Sequence, residues 1–176
     1  IRYQTTIKFI NTGADVEIVA EFFDDAGEPL NVSAGALGGT GASFRVSLKQ
    51  GQVVSSITPG EGPLVSGYVR LSAPESVTGT VIYTGTNSQS NTALFEAGVP
   101  ATYLRREVTV LLDSLGDRNS GLALVVSPSL AAGNNSSTIH ATLFDQQGQP
   151  LASKDMELEA GQKVAKFIHE LFAGDP

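Results

Sequence analysis

The sequence predicts an all-β chain built as two related immunoglobulin-like β-sandwich halves. Three observations carry this expectation: side chains that alternate with a period of two, turn residues that recur between the alternating runs, and an internal repeat. In the first run, Ile7 and Phe9 alternate with Thr6 and Lys8, and Val16, Ile18, Ala20 and Phe22 oppose Glu17, Val19 and Glu21. Such alternation marks a strand with one buried and one wet face. The pattern places strands around 5–11, 16–23, 43–49, 52–57, 67–72, 77–84 and 92–97, and again around 107–112, 120–126, 137–144 and 154–159. Gly, Pro and Asn at Asn11-Thr12-Gly13, Thr58-Pro59-Gly60, Ala73-Pro74 and Ser127-Pro128 punctuate the runs, with the roughly 8–12-residue spacing of a sandwich or barrel. One segment departs from the rule. In Gln162–Phe172 the apolar residues Val164, Phe167, Ile168, Leu171 and Phe172 fall at helical spacing, which predicts a short closing helix.

The repeat sets the organisation. Phe22-Phe23-Asp24-Asp25-Ala26-Gly27-Glu28-Pro29-Leu30 matches Leu143-Phe144-Asp145-Gln146-Gln147-Gly148-Gln149-Pro150-Leu151, and each copy follows an alternating strand. A second phrase follows in register, Val46 to Gln52 against Met156 to Gln162, and upstream Thr5 to Phe9 aligns with Ser120 to Leu124. The halves are therefore expected at 1–103 and 104–176. The repeated phrase is a turn whose residues have separate jobs. Asp24 and Asp145 accept backbone N–H groups, Gly27 and Gly148 take a positive φ, and Pro29 and Pro150 open the returning strand without donating to a ladder. The first copy carries an additional loop, Asn31 to Ser43, expected as either a mobile insertion or a binding tip.

Composition restricts function. The 176 residues carry a net charge of −7, with 11 Lys and Arg, against the phosphate neutralisation that nucleic-acid binding requires. No stretch approaches the ~20 apolar residues of a membrane helix, so membrane insertion is not expected. Charged residues make up 16%, below a typical ~25%; Gly, Ser, Thr, Asn and Ala fill the difference, as in exported β-proteins. The absence of cysteine removes disulfides, thiolate catalysis and cysteine zinc sites together.

Reactive constellations are scarce in the sequence. Asp24, Asp25 and Glu28 form the one calcium candidate, but the second copy has Gln146 and Gln149 where the first has Asp25 and Glu28; what recurs is the turn, and a metal is not expected. His140 and His169 sit on polar faces as solitary surface histidines. No G-x-S-x-G elbow is present, and the carboxylates Glu17, Glu21, Glu157 and Glu159 read as a solvated face. No catalytic residue and no cofactor is expected. Tyr3, Tyr68, Tyr83 and Tyr103 are the only tyrosines; Tyr68 and Tyr83 could share a face and grip a sugar. Asn31, Asn134 and Asn135 lie in glycosylation sequons and mark exposed loops.

Taken together, Tyr3-Gln4-Thr5-Thr6-Ile7, the Phe22–Leu30 turn, Ser66-Gly67-Tyr68-Val69-Arg70, Val77-Thr78-Gly79, Glu96-Ala97-Gly98-Val99-Pro100, Asn119-Ser120-Gly121-Leu122-Ala123-Leu124 and the Glu170-Leu171-Phe172 ending resemble a tandem β-sandwich repeat family of exported bacterial surface proteins. The resemblance implies a sandwich, an extracellular or cell-surface location, and no activity. In that family the pattern runs on after the Glu-Leu-Phe ending, so a second half short of the counterparts of 67–72 and 77–84 is expected. The function expected is a non-catalytic structural or adhesive module whose partners are other copies or surface components. It could be a filament subunit joined by strand exchange, with Ile1–Ile10 of the next copy as donor, set against a chain cut short or a gap that residues 107–112 fill within one molecule; the alternative function is a carbohydrate- or protein-binding module of a larger secreted protein.

Overall fold

The computed structural model describes residues 1–90, 92–113, 120–127 and 135–173. Asn91, Asn119, Pro128 and Asn134 lie outside the described residues. By contact the chain divides into two compact units, Ile1–Asp24 with Pro29–Tyr103, and Asp25–Glu28 with Leu104–Pro176.

The first unit is a two-sheet β-sandwich. Its strands are β1 (Arg2–Asn11), β2 (Val16–Asp24), β3 (Val32–Ala34), β4 (Gly39–Gly41), β5 (Ser43–Leu48), β6 (Val53–Ile57), β7 (Gly67–Ser72), β8 (Val77–Thr86) and β9 (Ala93–Pro100). One sheet runs β6-β1-β8-β9 and the other β5-β2-β7, all antiparallel. Between them lie Ile7, Phe9, Ile18, Ala20, Phe22, Phe44, Val46, Leu48 and Val77, the inward members of each alternating run. Phe22 and Phe44 meet edge to face at 5.7 Å, the geometry that an aromatic quadrupole favours.

Two expectations about this unit change. The Asn31–Ser43 loop is neither a loose insertion nor a projecting tip. Its β3–β4 ribbon and the 3-10 turn Gly35–Leu37 put Ala34 and Leu37 into the core, because an apolar Leu on an otherwise small-residue loop gains by covering the Phe44 end of the sandwich. Nor is the N-terminal segment a spare donor strand. β1 pairs with β6 on one edge and with β8 on the other, so both rows of its backbone groups are used.

Asn11 ends β1 and is fully buried. Its Nδ2 donates to the carbonyls of Ala14 and Leu48, and its Oδ1 accepts from Gly13 N and Ser76 Oγ. A buried amide satisfied on every side costs little and orders the three loops it touches.

The second unit repeats the frame with fewer strands. It contains β10 (Gly121–Val125), β11 (Ser136–Phe144), β12 (Pro150–Glu159), β13 (Lys163–Phe167) and the helix α1 (Ile168–Leu171). β10 pairs with β13, and β11 with β12. The registers reproduce those of the first unit residue for residue. Thr6↔Ile57 becomes Gly121↔Phe167, and Val16↔Leu48 becomes Ser137↔Leu158. The connecting turn is copied down to single hydrogen bonds. Gly51 N donates to Asn11 O at 2.7 Å, as Gly161 N does to Val126 O at 2.7 Å, and Gln52 Oε1 accepts from Lys49 N as Gln162 Oε1 does from Glu159 N. β10, β11, β12 and β13 thus stand for β1, β2, β5 and β6. Among the described residues, nothing stands for β7, β8 or β9.

Here too the structure corrects two expectations. Residues 163–167 are strand rather than helix, and only Ile168–Leu171 is helical; pairing with β10 along the full length of β13 outweighs a spacing that only four residues finally obey. The Phe167 N–H donates to Glu170 Oε2 at 2.9 Å, and Leu171 is buried. Residues 107–112 alternate as a strand should, yet among the described residues no strand pairs with them, and Leu111 is 99% exposed. Alternation supplies a face but not a partner.

Candidate functional site

The repeated turns are the features that the sequence singled out most strongly. In the second unit Asp145 Oδ1 accepts the N–H groups of Gln147 and Gln149, while Asp145 N donates to Gln149 O and Gly148 N to Asp145 O. In the first copy Phe23 bridges Pro29, as Phe144 pairs with Pro150, and Leu30 N donates to Phe22 O. Gly27 and Gly148 both have positive φ, 87° and 77°, a region where a side-chain-bearing residue is strained. Gly27 and Gly148, and the Phe23–Pro29 and Phe144–Pro150 pairs, therefore hold equivalent places in the two turns.

In the first turn the Asp25 carboxylate is held by a lysine. Asp25 Oδ1 lies 2.8 Å from Lys163 Nζ, and the Lys163 side chain is only 10% exposed. No cluster of three or more His, Asp or Glu side chains placed to hold a metal occurs among the described residues. His140 Nδ1 sits 2.6 Å from Asp155 Oδ1 across the β11–β12 pair, and His169 stacks on Phe167 with ring centroids 5.8 Å apart. Each histidine thus has a local neighbour.

Two aromatic clusters are the chemically distinctive surfaces. On the outer face of the β5-β2-β7 sheet, Phe23 stacks on Tyr68 at 5.2 Å, Arg70 lies 4.9 Å over the Phe23 ring, and Arg70 bonds Glu21 at 2.9 Å. The Arg–Glu pair fixes the guanidinium over the ring, so stacking and ion pairing reinforce one another. Burial raises the Tyr68 pKa above its ordinary value, with Asp24 adding to the rise and Arg70 opposing it.

The second cluster lies where the four-stranded sheet outruns its partner. Tyr3, Tyr83, Phe95 and Val99 share the face that farther along carries the buried Ile7, Phe9 and Val77 and the partly buried Val81 side chains. They remain 40–48% exposed. Tyr3 and Phe95 approach with centroids 6.1 Å apart. Gly85 lies opposite both, and a Cβ there would overlap the Phe95 ring, so this glycine makes room for the aromatic. The structure separates Tyr68 from Tyr83, which lie in different sheets, so the shared face expected of them does not form. Sequence reasoning missed Phe95 and Arg70; the signal for Phe95 was Gly85, a glycine inside a strand rich in β-branched residues. Among the described residues, no helix is long and apolar enough to cross a membrane. Comparison with family models, curated proteins and solved structures finds no match.

Proposed function

We propose that the chain is a non-catalytic structural or adhesive module of an extracellular or cell-surface assembly. The observation that supports this reading most is the exact reuse of one strand register in both units. What recurs is a scaffold and its turns, while apart from the turn aspartates Asp24 and Asp145 the carboxylates, histidines and tyrosines of one copy are not those of the other. A repeated site would mark a repeated chemistry; a repeated frame is what a building block needs. The composition, poor in charge and rich in Thr, Ser, Gly and Asn, accords with exposure outside the cell.

The test is the state of the purified chain across concentration, by sedimentation velocity and negative-stain electron microscopy. Ordered, concentration-dependent assemblies are the expected result, and a chain monodisperse at every concentration removes the reading. A second function, carbohydrate recognition, is favoured by the Tyr3–Tyr83–Phe95 overhang, since flat exposed aromatics with polar neighbours stack on sugar rings. Glycan-array binding that is lost in Tyr83→Ala would support it.

A further inference from the structure

Residues 31–41 are an addition to the frame that the two units share. In the second unit Leu151, the counterpart of Leu30, is followed directly by Ala152, the counterpart of Ala42. In the first unit the chain leaves the sandwich between those positions and returns as β3, the 3-10 turn Gly35–Leu37 and β4. β3 and β4 pair with each other and, among the described residues, with no strand of either main sheet. The roots of this ribbon are tied, since Leu30 N donates to Phe22 O and Phe22 N to Ala42 O. Between the roots it is held by packing. Ala34 and Leu37 are buried, Val32 packs beside the core, and Gly38 and Gly41 pass the Phe44 ring. A lone two-stranded ribbon is marginal in water, so its order comes mainly from one leucine.

Beneath the ribbon lies an apolar floor with one hydroxyl in it. The 3-10 turn packs on β5 and along β6. On β6, Val54 stands opposite Phe9 and Ser56 opposite Ile7, so both face the core with those partners. Ser56 is only 2% exposed, and its Oγ has no hydrogen-bond partner among the described residues. A buried hydroxyl without a protein partner is a cost of closure, and lifting the ribbon removes it. The tip of the ribbon is costly in a second way. Gly38 and Gly39 have φ of 126° and 113°, and a Cβ at Gly39 would meet nothing within 4 Å. The backbone angle, not crowding, requires glycine there, and ordering glycine loses more conformational freedom than ordering any other residue.

We infer that the β3–β4 ribbon is a strap that opens as a unit while both sheets of the first unit stay folded. Its opening uncovers the core at Phe44, Val54 and Ser56. The hinges are the tied roots at Leu30 and Ala42, positions that the second unit joins directly. Opening breaks no ladder of either main sheet. It withdraws Ala34 and Leu37 from the core and frees Ser56 Oγ to bond with water. Closure is governed by Leu37, the one large side chain that the ribbon buries. The strap is thus a gate over an apolar site that carries a single hydroxyl, with an opening free energy well below that of unfolding the sandwich. It depends on neither the assembly reading nor the sugar reading above.

The chain has no cysteine, so Ser56→Cys places a single thiol under the strap without removing a hydrogen bond. Labelling of that thiol by dithionitrobenzoate, at rising urea below the unfolding transition, reads the opening. The expected rate is nearly independent of urea at first, because a small opening exposes little surface, and rises with urea only as the sandwich unfolds. Leu37→Ala in the same background should speed the low-urea labelling by at least about tenfold. A thiol labelled only with the urea dependence of global unfolding overturns the strap. So does a Leu37→Ala chain whose labelling quickens no more than its global unfolding does. Native-state hydrogen exchange of the unaltered chain gives an independent reading. Amides bonded within the β3–β4 ribbon should exchange through an opening that urea barely affects, and those of Ile18 and Ala20 through global unfolding. Exchange of both groups through one urea-dependent opening would equally overturn the inference.

Discussion

The two units share a register and differ in burial. Leu48 and its counterpart Leu158 are both buried, since each sits beside the tight turn that the two units copy. Farther from that turn the units diverge. Ile7, Phe9, Ile18, Ala20 and Phe22 are buried, whereas Leu122, Leu124, Ile139, Ala141 and Leu143 are half-buried at the corresponding positions. The inward position filled by Phe44 in one unit is Lys154 in the other, where no β3–β4 ribbon supplies a Leu37 to cover an aromatic. Local turns and pairings can thus be set by a short sequence, while burial depends on how many strands close around them. Register is inherited from the turns, and the core from the neighbours.

Core truncations should separate the units most. Ile18→Ala removes a fully buried side chain and should cost about 3–4 kcal/mol, while Ile139→Ala, at the corresponding half-buried position, should cost about half as much. Chemical denaturation that resolves the two units as separate transitions measures both. Equal costs would mean that Ile139 is covered in solution.

The polar anchor should follow. Asn11→Val leaves the Gly13 N–H without its side-chain acceptor and the Ala14 and Leu48 carbonyls without their donor, for about 2–3 kcal/mol. The counterpart Val126 makes no such bonds, and Val126→Ala should cost only about 1–2 kcal/mol through lost burial. A mild Asn11→Val would show that the β7–β8 turn carrying Ser76 does not depend on this amide.

How much of this was legible in the sequence follows the same division. The strands, the repeated turn and the equivalence of the copies could be read, because alternation and Asp-x-x-Gly turns act over a few residues. The misreadings concern partners. Residues 107–112 had the period of a strand but, among the described residues, nothing to pair with, and 163–167 had helical spacing but a partner in β10 that no local pattern revealed. The Asn31–Ser43 loop looked uncommitted until Leu37 was seen to close the core. Tyr68 and Tyr83 both lay on strands, yet strand order, which long-range pairing decides, sent them to different sheets.

The repeated turns offer a matched pair of smaller effects. Gly27→Val and Gly148→Val should each cost about 1 kcal/mol or more, since both positions have positive φ and valine is penalised there. Glu28→Ala should change stability little, whereas Asp25→Ala takes the carboxylate away from the largely buried Lys163 ammonium and should cost more. A calcium-dependent rise in melting temperature that vanishes in those two variants would restore the metal site in the first turn and break the equivalence of the copies.

The smallest effect concerns alkaline pH and only the first unit, which holds all four tyrosines. Burial raises the Tyr68 pKa above its ordinary value of 10.0, and Arg70 partly offsets the rise. The folded state therefore keeps the phenol proton at a pH where the unfolded chain has begun to lose it. That contribution is fully present below pH 10.0 and is lost as the pH rises through the folded value, since proton release then favours the unfolded chain. The unfolding transition of the first unit should weaken slightly over that range. Arg70→Gln should push the Tyr68 titration still higher, because it removes the one influence that lowers it, while also loosening the stack on Phe23. Ultraviolet titration of phenolate, in the full chain and in Tyr68→Phe, isolates this group. A Tyr68 that titrates at or below the ordinary value would mean that the Phe23–Arg70 stack opens in solution, leaving Phe23 as uncovered as Phe144.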